Sequence, residues 1–193
     1  ARVESGEIYL HGENVKIPNP RAAVQKGIAL IPEDRKRHGL ILEKSIMENA
    51  TLPMLKKFAK GFVLNRKKQE EATQEQINAL GIKTPSMDQL AKNLSGGNQQ
   101  KVVLAKWLIS NSDILIFDEP TRGVDVGAKQ EIYQIMNELV ENGKSIIMIS
   151  SEMPELLGMA DRLIVMCEHR MTGELTKGNM NQMQVLELAS GER

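Results

Sequence analysis

The sequence predicts an α/β domain organised around a mostly parallel sheet. Between residues 113 and 167, short apolar runs typical of buried strands alternate with longer segments whose apolar residues recur at helical spacing. The clearest strand is Ile114–Phe117, and the carboxylates of Asp118 and Glu119 follow it directly. A chain of 193 residues is long enough to form one domain with a well-packed core. These observations favour a single α/β domain.

The N-terminal part predicts an antiparallel edge that leads into this sheet. Residues 7–17 alternate in polarity around a turn, which is typical of a hairpin. A short helix then begins with Asn19 as its N-cap and Pro20 in its first position, and Gly27 ends it. Residues 28–32 form the next predicted buried strand.

A charged stretch and a mostly helical region follow. Pro32–Leu40 has the composition of a solvated surface loop. From Ser45 to about Ile109 the pattern predicts helices, because Ser45 and Glu48 match a capping box and Gly81 marks a later helix end.

Strands and helices continue to alternate in the C-terminal part. Residues 128–143 place apolar side chains at helical spacing, and residues 144–152 form a buried strand and a turn. A short helix over 153–160 and a strand over 161–169 come next. The tail, residues 171–193, predicts a final strand and helix.

Composition excludes several classes of protein. Lys plus Arg and Asp plus Glu number 25 each, so no overall field favours nucleic acid or anionic lipid. Aromatic residues make up 3% of the chain, which argues against a base-stacking surface. A single cysteine, Cys167, cannot form an internal disulfide, and its apolar neighbours suggest a core thiol. No apolar run is long enough to span a membrane.

One candidate phosphate-binding element is Leu94–Gly97, at the start of an apolar-periodic helix. Ser95 is a favoured N-cap residue, and the two glycines allow a ligand to approach the backbone closely. The first N–H groups of a helix lack intrahelical acceptors and carry partial positive charge, which suits a phosphate. Taken alone, the same letters also fit an ordinary loop followed by a helix start.

A second candidate is the pair of carboxylates, Asp118 and Glu119. Open α/β sheets bind ligands at the carboxyl ends of their strands, and this pair sits at such an end. One carboxylate could contribute to the coordination shell of Mg²⁺, while the other polarises an attacking water. A strand end with solvated charges is the alternative for the pair alone. The joint occurrence of both elements, with Asp125 in the next loop, favours a nucleotide site.

These stretches resemble the ATP-binding subunits of ABC transporters, and in particular the second ATPase half of monosaccharide importers for ribose, galactose and methyl-galactoside. LSGGNQQKVVLAKWL, residues 94–108, resembles the signature motif and its helix. ILIFDEPTRGVDVGAK, residues 114–129, resembles the Walker B strand and D-loop. ALIPEDRKRHGL, residues 29–40, resembles the Q-loop region. The resemblance implies a P-loop NTPase-like ABC ATPase fold with an antiparallel β edge and an α-helical subdomain.

The resemblance also implies a role for each matching residue. The signature motif residues contact ATP held by a partner domain: Ser95, Gly96, Gly97 and Gln99. Asp118 holds Mg²⁺, Glu119 is the Walker B carboxylate, and Asp125 lies in the D-loop. Glu33 occupies the Q-loop position, and Ser151 occupies the position of the switch histidine.

Three departures from the family pattern predict a degenerate site on this chain. Glu33 stands where relatives carry glutamine, and Ser151 stands where they carry histidine. No G-x-x-x-x-G-K-[ST] motif occurs, since Gly143–Ser145 follows a helix and has Glu138 at the position of the first glycine. The sequence therefore suggests an N-terminally truncated domain that lacks the Walker A strand, loop and helix.

These implications lead to two functional hypotheses. In the first, the chain energises a sugar importer and supplies Ser95–Gly97 to an ATP site on another ATPase half, so turnover needs the assembly and the isolated chain is inactive. In the second, it is a non-hydrolytic docking module. A soluble ABC ATPase of DNA repair or translation is disfavoured, because long coiled-coil heptads and a strong overall basic charge are both missing.

The same resemblance predicts the partners and their arrangement. They are membrane permease subunits, another ABC ATPase half and, indirectly, a periplasmic sugar-binding protein, with no nucleic acid. The chain would be cytoplasmic and bound peripherally to the membrane through the permease. The predicted divisions are a β edge with the Q-loop region (1–44), a helical subdomain (45–110) and a C-terminal α/β part (111–193). Apolar residues of the helical subdomain fit a core or a permease-docking patch: Met47, Leu52, Met54 and Leu55.

Overall fold

The computed structural model describes residues 5–191. The helices are α1 Pro20–Gln25, α2 Ile46–Thr51, α3 Leu55–Phe58, α4 Arg66–Ala79, α5 Gly96–Ile109, α6 Val126–Glu141, α7 Met153–Met159 and α8 Gln182–Ser190. The strands are β1 Tyr9–Leu10, β2 Glu13–Asn14, β3 Ile28–Ile31, β4 Ala59–Lys60, β5 Val63–Leu64, β6 Ile114–Asp118, β7 Ser145–Ile149, β8 Arg162–Cys167 and β9 Arg170–Thr176. Shorter turns of 3₁₀-helix lie at Leu52–Met54 and Ala91–Asn93.

A parallel sheet of order β3-β6-β7 forms the centre of the fold, as the sequence predicts. Its register pairs Ile28 with Ile114 and Ile114 with Ser145. Strand β6 is central because it is apolar along its length, and its Leu115 and Phe117 side chains are fully buried. The carboxyl ends of the three strands therefore meet along one side of the sheet, which we call the carboxyl edge.

The pairing of strand β8 differs from the sequence prediction. The alternation of elements favours a place for it in the parallel sheet, whereas β8 pairs antiparallel with β9 in a separate two-stranded sheet covered by α8. The turn between them, Glu168–His169, has positive φ at both residues, which is the geometry that closes a tight hairpin. The tight turn at Glu168–His169 thus pairs β8 with β9, its neighbour in the sequence.

The strand β7 is also less buried than predicted. It lies at one side of the described parallel sheet, and Ile147 and Ile149 are each about half exposed on the face opposite the core. Leu30, on β3, is also about half exposed on this face of the sheet. On the opposite face, Ala29, Ile31, Leu115 and Phe117 are buried in the main core with residues of α5 and α6, and Ile146 and Met148 of β7 pack against it.

The region from Ser45 to Ile109 is mostly helical, and its predicted caps are confirmed. Ser45 and Glu48 form a capping box at the start of α2, and Gly81 follows α4 with positive φ. Helices α2, α4 and α5 pack together around one core that continues into the parallel sheet. The short β4–β5 hairpin inside this region does not follow from the sequence pattern.

The charged stretch of residues 32–40 is more ordered than a surface loop. It contains one π-helical turn, Arg35–Gly39, which the Leu40 N–H closes by donating to the Arg35 carbonyl. The Asp34 carboxylate caps the turn by accepting hydrogen bonds from the N–H groups of Lys36 and Arg37. This turn places the Arg35 side chain in the interior.

Candidate functional site

The carboxyl edge gathers most of the predicted site residues. Asp118 ends β6, Glu119 follows it, and Ser151 follows β7. The Glu119 N–H donates to the Ile149 carbonyl at 2.8 Å, so the loop after β6 is held against the end of β7. Glu33 lies two residues after β3, at the same edge. The parallel sheet thus brings together residues that are far apart in the sequence.

The Glu119 backbone has an unusual conformation. Its φ is +47°, in the left-handed region, where an L-residue other than glycine is strained by about 1–2 kcal/mol. The side chains of Asp118 and Glu119 are both partly exposed at the edge. This conformation turns the chain sharply just after the strand, so that both carboxylates remain accessible.

The N-terminus of α5 has the features of an anion-binding site. Ser95 is the N-cap, is exposed, and its hydroxyl accepts hydrogen bonds from the Asn98 N–H at 3.4 Å and the Asn98 side-chain amide at 3.0 Å. Within the described residues, the N–H groups of Gly96 and Gly97 have no acceptor. Free N–H groups at a helix start attract negative charge.

Both glycines are also required by packing within the chain. An added Cβ at Gly96 would lie 2.7 Å from the guanidinium of Arg35, and one at Gly97 would lie 2.7 Å from the Cβ of Ala128. Real Cβ atoms do not approach so closely. The glycines therefore let α5 contact the loop before α6, at Gly123, and the first turn of α6, at Ala128, in addition to any role toward a ligand.

Arg35 joins three segments at this point. Its Nη1 donates to the Arg122 carbonyl at 2.9 Å, and its Nη2 donates to the Gly123 carbonyl at 3.1 Å. The side chain also packs against Gly96. Arg35 is 9% exposed, and burial lowers its pKa while Asp34 nearby acts in the opposite direction. The guanidinium thus connects the π-helical turn, residues 122–123 in the loop before α6, and the start of α5.

A second connection runs between the same segments at the surface. The Arg122 guanidinium forms an ion pair with the Glu33 carboxylate. The cation offsets the negative charge that Glu33 brings to the carboxyl edge. Arg122 is largely exposed and Glu33 is partly exposed, so solvent weakens this ion pair.

Buried Glu155 connects the loops after β6 and β7. It is 3% exposed, accepts a hydrogen bond from the Thr121 hydroxyl at 3.2 Å, and is hydrogen-bonded to the Ser150 hydroxyl. Nearby Tyr133 has a raised pKa, chiefly because it is buried. Glu155 therefore fixes the position of Thr121, two residues after Glu119, and of Ser150, directly before Ser151.

Gln99 and Asp125 support the local structure of the site. The Gln99 side chain is buried and donates to the Ala91 carbonyl at 3.0 Å, in the turn before Ser95. The exposed Asp125 is the N-cap of α6, and its carboxylate accepts a hydrogen bond from the Ala128 N–H at 3.0 Å. Gln99 faces the interior, whereas Asp125 faces solvent at the start of a helix.

A buried lysine connects α5 to the other end of the π-helical turn. Lys106 donates from its Nζ to the Gly39 carbonyl and lies 5.4 Å from the centre of the Trp107 ring. Burial lowers the pKa of Lys106. With Arg35, this contact attaches residues 35–39 to α5 at two points.

Sequence reasoning did not identify Arg35 or Glu155. Arg35 lies in a run of four basic residues, Arg35–His38, and nothing in the letters distinguishes the buried member. Glu155 lies in a short amphipathic helix where a carboxylate is ordinarily solvated. Asp34 is the one local feature that could have pointed to Arg35. Because Asp34 caps the turn, it fixes the backbone of the next residue and so the direction of the Arg35 side chain.

The carboxylates fit a magnesium ion only together with substrate phosphates. Among residues 5–191, no cluster of three or more His, Cys, Asp or Glu side chains could hold a metal by itself. Mg²⁺ is commonly held by one or two carboxylates, several waters and the phosphates of a nucleotide. Asp118 and Glu119 supply that number of carboxylates at the carboxyl edge.

Known proteins with similar sequences are sugar import subunits. The chain is 50% identical over 188 residues to a putative ribose/galactose/methyl galactoside import ATP-binding protein of Rhizobium etli, covering 97% of this chain and 36% of that protein. It is 50% identical to a xylose import ATP-binding protein of Photobacterium profundum, covering 98% and 37%. It is also 50% identical to a ribose import ATP-binding protein of Bacillus subtilis, covering 100% and 39%. The chain thus spans well under half the length of these curated relatives.

Solved structures with the same fold are ATP-binding cassettes. A nucleotide-free cassette from an ABC transporter superposes with a TM-score of 0.80 at 20% identity, covering 97% of this chain and 78% of the other. A dimeric cassette in a post-hydrolysis state bound to ADP and Pi gives 0.74 at 19% identity, covering 92% and 75%. These likenesses confirm the predicted fold.

A family model described as ABC transporter matches residues 1–122. The matched segment includes Glu33, the signature motif and both carboxylates at the end of β6. The chain therefore belongs to the ABC transporter family.

Proposed function

We propose that the chain is an ATP-binding, energising component of an ABC-type monosaccharide importer. The observation that carries the proposal is the N-terminus of α5, where exposed Ser95 and two N–H groups without acceptors lie beside the D-loop region. This arrangement suits a nucleotide phosphate. The sugar import names of the relatives supply the substrate class. Ribose, galactose, methyl-galactoside and xylose all fit those names.

Each site residue has a specific part in this proposal. Ser95, Gly96 and Gly97 contact the ATP bound by a second ATPase half, and Gln99 holds the turn that precedes them. Asp118 would bind Mg²⁺, which neutralises phosphate charge when it is bound with ATP. Glu119 would orient water, while Glu33, Ser151 and Asp125 would line the same carboxyl edge. Arg35 and Glu155 position the loops that carry these groups.

We further propose that the two ATP sites of the assembly are unequal. Substituting Ser95→Ala in the assembled transporter should lower ATPase activity by at least about tenfold, because a donor to phosphate charge is disturbed at a water-excluded interface. Glu119→Gln should have a smaller effect, because this carboxylate faces the weaker site. Equal losses from the two substitutions would refute the inequality.

Ser45→Ala is the matched control for this experiment. Ser45 also caps a helix through its hydroxyl, but it does so at α2, and it is buried. Both alanine variants lose a cap worth about 1 kcal/mol. If Ser45→Ala reduces ATPase activity as much as Ser95→Ala, the loss reflects stability and the phosphate role of Ser95 is wrong.

A second candidate is a docking module without turnover. It is favoured by the ion pair of Glu33 with Arg122 and by the hydroxyl of Ser151, which cannot supply an imidazole. Calorimetric titration of Mg-ATP, with a parallel phosphate-release assay, is done on the purified chain alone and again beside a second ATPase half. The second arm distinguishes the two candidates, because a docking module adds no turnover there. We expect neither binding nor turnover in the isolated chain, with activity appearing only beside a second ATPase half. Micromolar binding with turnover by the chain alone would contradict both the unequal-site model and the docking module.

The proposed assembly includes permease subunits, another ATPase half and, through the permease, a periplasmic sugar-binding protein. No helix within residues 5–191 has the length and apolar character needed to cross a membrane. We propose a cytoplasmic position at the inner face of the membrane, with the permease as the attachment. Co-purification of the chain with its permease, and release from membranes when the permease is deleted, would test this placement.

A further inference from the structure

The chain contains a strongly basic segment, although its total charge is balanced. Residues 49–69 contain no Asp or Glu, although acidic and basic residues are equal in number over the whole chain. The segment carries six basic side chains, all of them exposed: Lys56, Lys57, Lys60, Arg66, Lys67 and Lys68. We call residues 56–68 the basic hairpin, because the β4–β5 hairpin lies at their centre.

The tip of the basic hairpin is apolar and projects into solvent. Phe62 is fully exposed, and Val63 is 71% exposed. The turn is tight, since Gly61 has a positive φ and Lys60 pairs with Val63 directly across it. The Asn65 N–H closes the base by donating to the Phe58 carbonyl at 2.7 Å. The β4–β5 hairpin therefore places an aromatic ring away from the core.

Most of the surrounding cations have no acidic partner. Arg66 is paired with Glu70 and Asp88, whereas Lys67 and Lys68 form no ion pair with any described residue. All three occupy the first turn of α4, which contains no acidic residue. Cations at a helix N-terminus are unfavourable, because the partial positive charge of the helix repels them. An external anionic surface would relieve this repulsion.

We propose that the basic hairpin binds an anionic phospholipid surface, with Phe62 and Val63 inserted among the lipids and the lysines over the headgroups. Apolar insertion combined with lysine attraction is how peripheral segments bind such membranes. Lysine is a flexible point charge suited to a diffuse anionic surface rather than to bidentate recognition. A projecting turn with one aromatic ring offers far less area than a stable protein interface of about 800 Å² per partner.

Flotation of the purified chain with vesicles tests the proposal. We expect binding to phosphatidylcholine vesicles that contain phosphatidylglycerol, little binding to phosphatidylcholine alone, and release at high salt. Lys67→Glu combined with Lys68→Glu should weaken partitioning by at least about tenfold. This double variant places acids in the first turn of α4, which favours the helix, so weaker binding could not be ascribed to unfolding. Phe62→Ser should weaken partitioning by about tenfold at constant charge.

Lys16→Glu combined with Lys26→Glu is the matched control. It changes the net charge by the same amount at two exposed lysines that form no ion pair with any described residue and lie outside the basic hairpin. Equal weakening by the control would overturn the proposal, because total charge would then suffice. Equal binding to neutral and anionic vesicles would also overturn it. Retention on a polyglutamate resin without vesicle binding would assign the basic hairpin to an acidic protein instead. None of these readouts depends on ATP.

Discussion

At Gly97 the α5 backbone passes so close to α6 that an added Cβ would lie 2.7 Å from the Cβ of Ala128. A glycine in a signature motif is readily assigned to ligand contact, yet here packing alone excludes a larger residue. Gly96 is constrained similarly by Arg35. Loss of activity on substituting either glycine is therefore ambiguous unless stability is measured as well.

We expect Gly97→Ala to lower the free energy of unfolding by about 1–3 kcal/mol, because the added methyl group overpacks the α5–α6 contact. Ala128→Gly in the same chain should recover much of that loss by removing the opposing methyl group. Urea denaturation measures both effects. Gly158→Ala is the control, since α7 leaves open space around Gly158, and it should raise the free energy of unfolding by about 0.5–1 kcal/mol, because alanine favours a helix more than glycine does. Failure of Ala128→Gly to restore stability would show that the conflict lies elsewhere.

With stability restored in the double variant, ATPase activity of the assembled transporter isolates the ligand role of Gly97. Activity near that of the unsubstituted transporter would show that Gly97 serves packing only. Persistent loss would support a direct contact between its backbone and ATP.

The helix starts are the structural features that the local sequence predicts best. Asn19, Ser45 and Ser95 each accept a hydrogen bond from a backbone N–H three residues ahead, as their positions predict. These caps depend on neighbours within one turn, so the letters alone suffice. In contrast, the π-helical turn at Arg35–Gly39 is held by carbonyls 87 and 88 residues away. Such distant partners leave no local signal, and the same applies to the placement of Glu155.

The capping box of α2 makes stability depend on pH. Hydrogen bonds from the Lys44 ammonium and the Ser45 N–H lower the pKa of Glu48 from 4.5 to about 2. Because the folded-state pKa is below the unfolded value, this contribution is present above about pH 4.5 and lost as the pH falls toward about 2. Glu48 is nearly half exposed, so solvent screening keeps the contribution small.

Glu48→Ala should therefore lower the free energy of unfolding by about 1 kcal/mol at neutral pH. The difference from the unsubstituted chain should shrink as the pH falls toward 2. Denaturation curves between pH 7 and pH 2.5 measure it. Glu48→Gln retains an acceptor for the Ser45 N–H and should show a smaller loss with little dependence on pH. A difference that grows in acid would contradict the assignment.

Arg35 links elements rather than neighbouring residues. We expect Arg35→Gln to lower the free energy of unfolding by about 2–3 kcal/mol, because the carbonyls of Arg122 and Gly123 lose their charged donor. Arg37→Gln, in the same turn but largely exposed, should change it by less than about 0.5 kcal/mol. Thermal unfolding compares the two variants. Equal effects would mean that the turn, rather than the buried guanidinium, carries the stability.

Over the whole molecule, the apolar surface is unevenly placed. One face of the parallel sheet exposes Leu30, Ile147 and Ile149 together, while the other face lies in the main core. Contiguous apolar surface of this kind promotes association between molecules. The fold class and the helical packing follow from hydrophobic periodicity, but exposure of this face does not, because periodicity cannot show what covers a strand.

Ile147→Thr should raise the solubility of the purified chain while changing the free energy of unfolding by less than about 0.5 kcal/mol, because the position is half exposed. Light scattering at increasing protein concentration measures association. Ile132→Thr, at a fully buried position of α6, should instead destabilise the fold by about 1–3 kcal/mol. Unchanged association of Ile147→Thr would exclude this sheet face as the contact surface.

The single tryptophan of the chain lies on α5, so its fluorescence reports on the surroundings of that helix. Trp107 packs against the core, and the neighbouring ammonium of Lys106 is hydrogen-bonded to Gly39 at the end of the π-helical turn. Any displacement of that turn relative to α5 would move a positive charge beside the indole ring and shift its emission. Intrinsic fluorescence can therefore follow this motion on addition of nucleotide to the chain, without labels and without background from a second tryptophan of the chain.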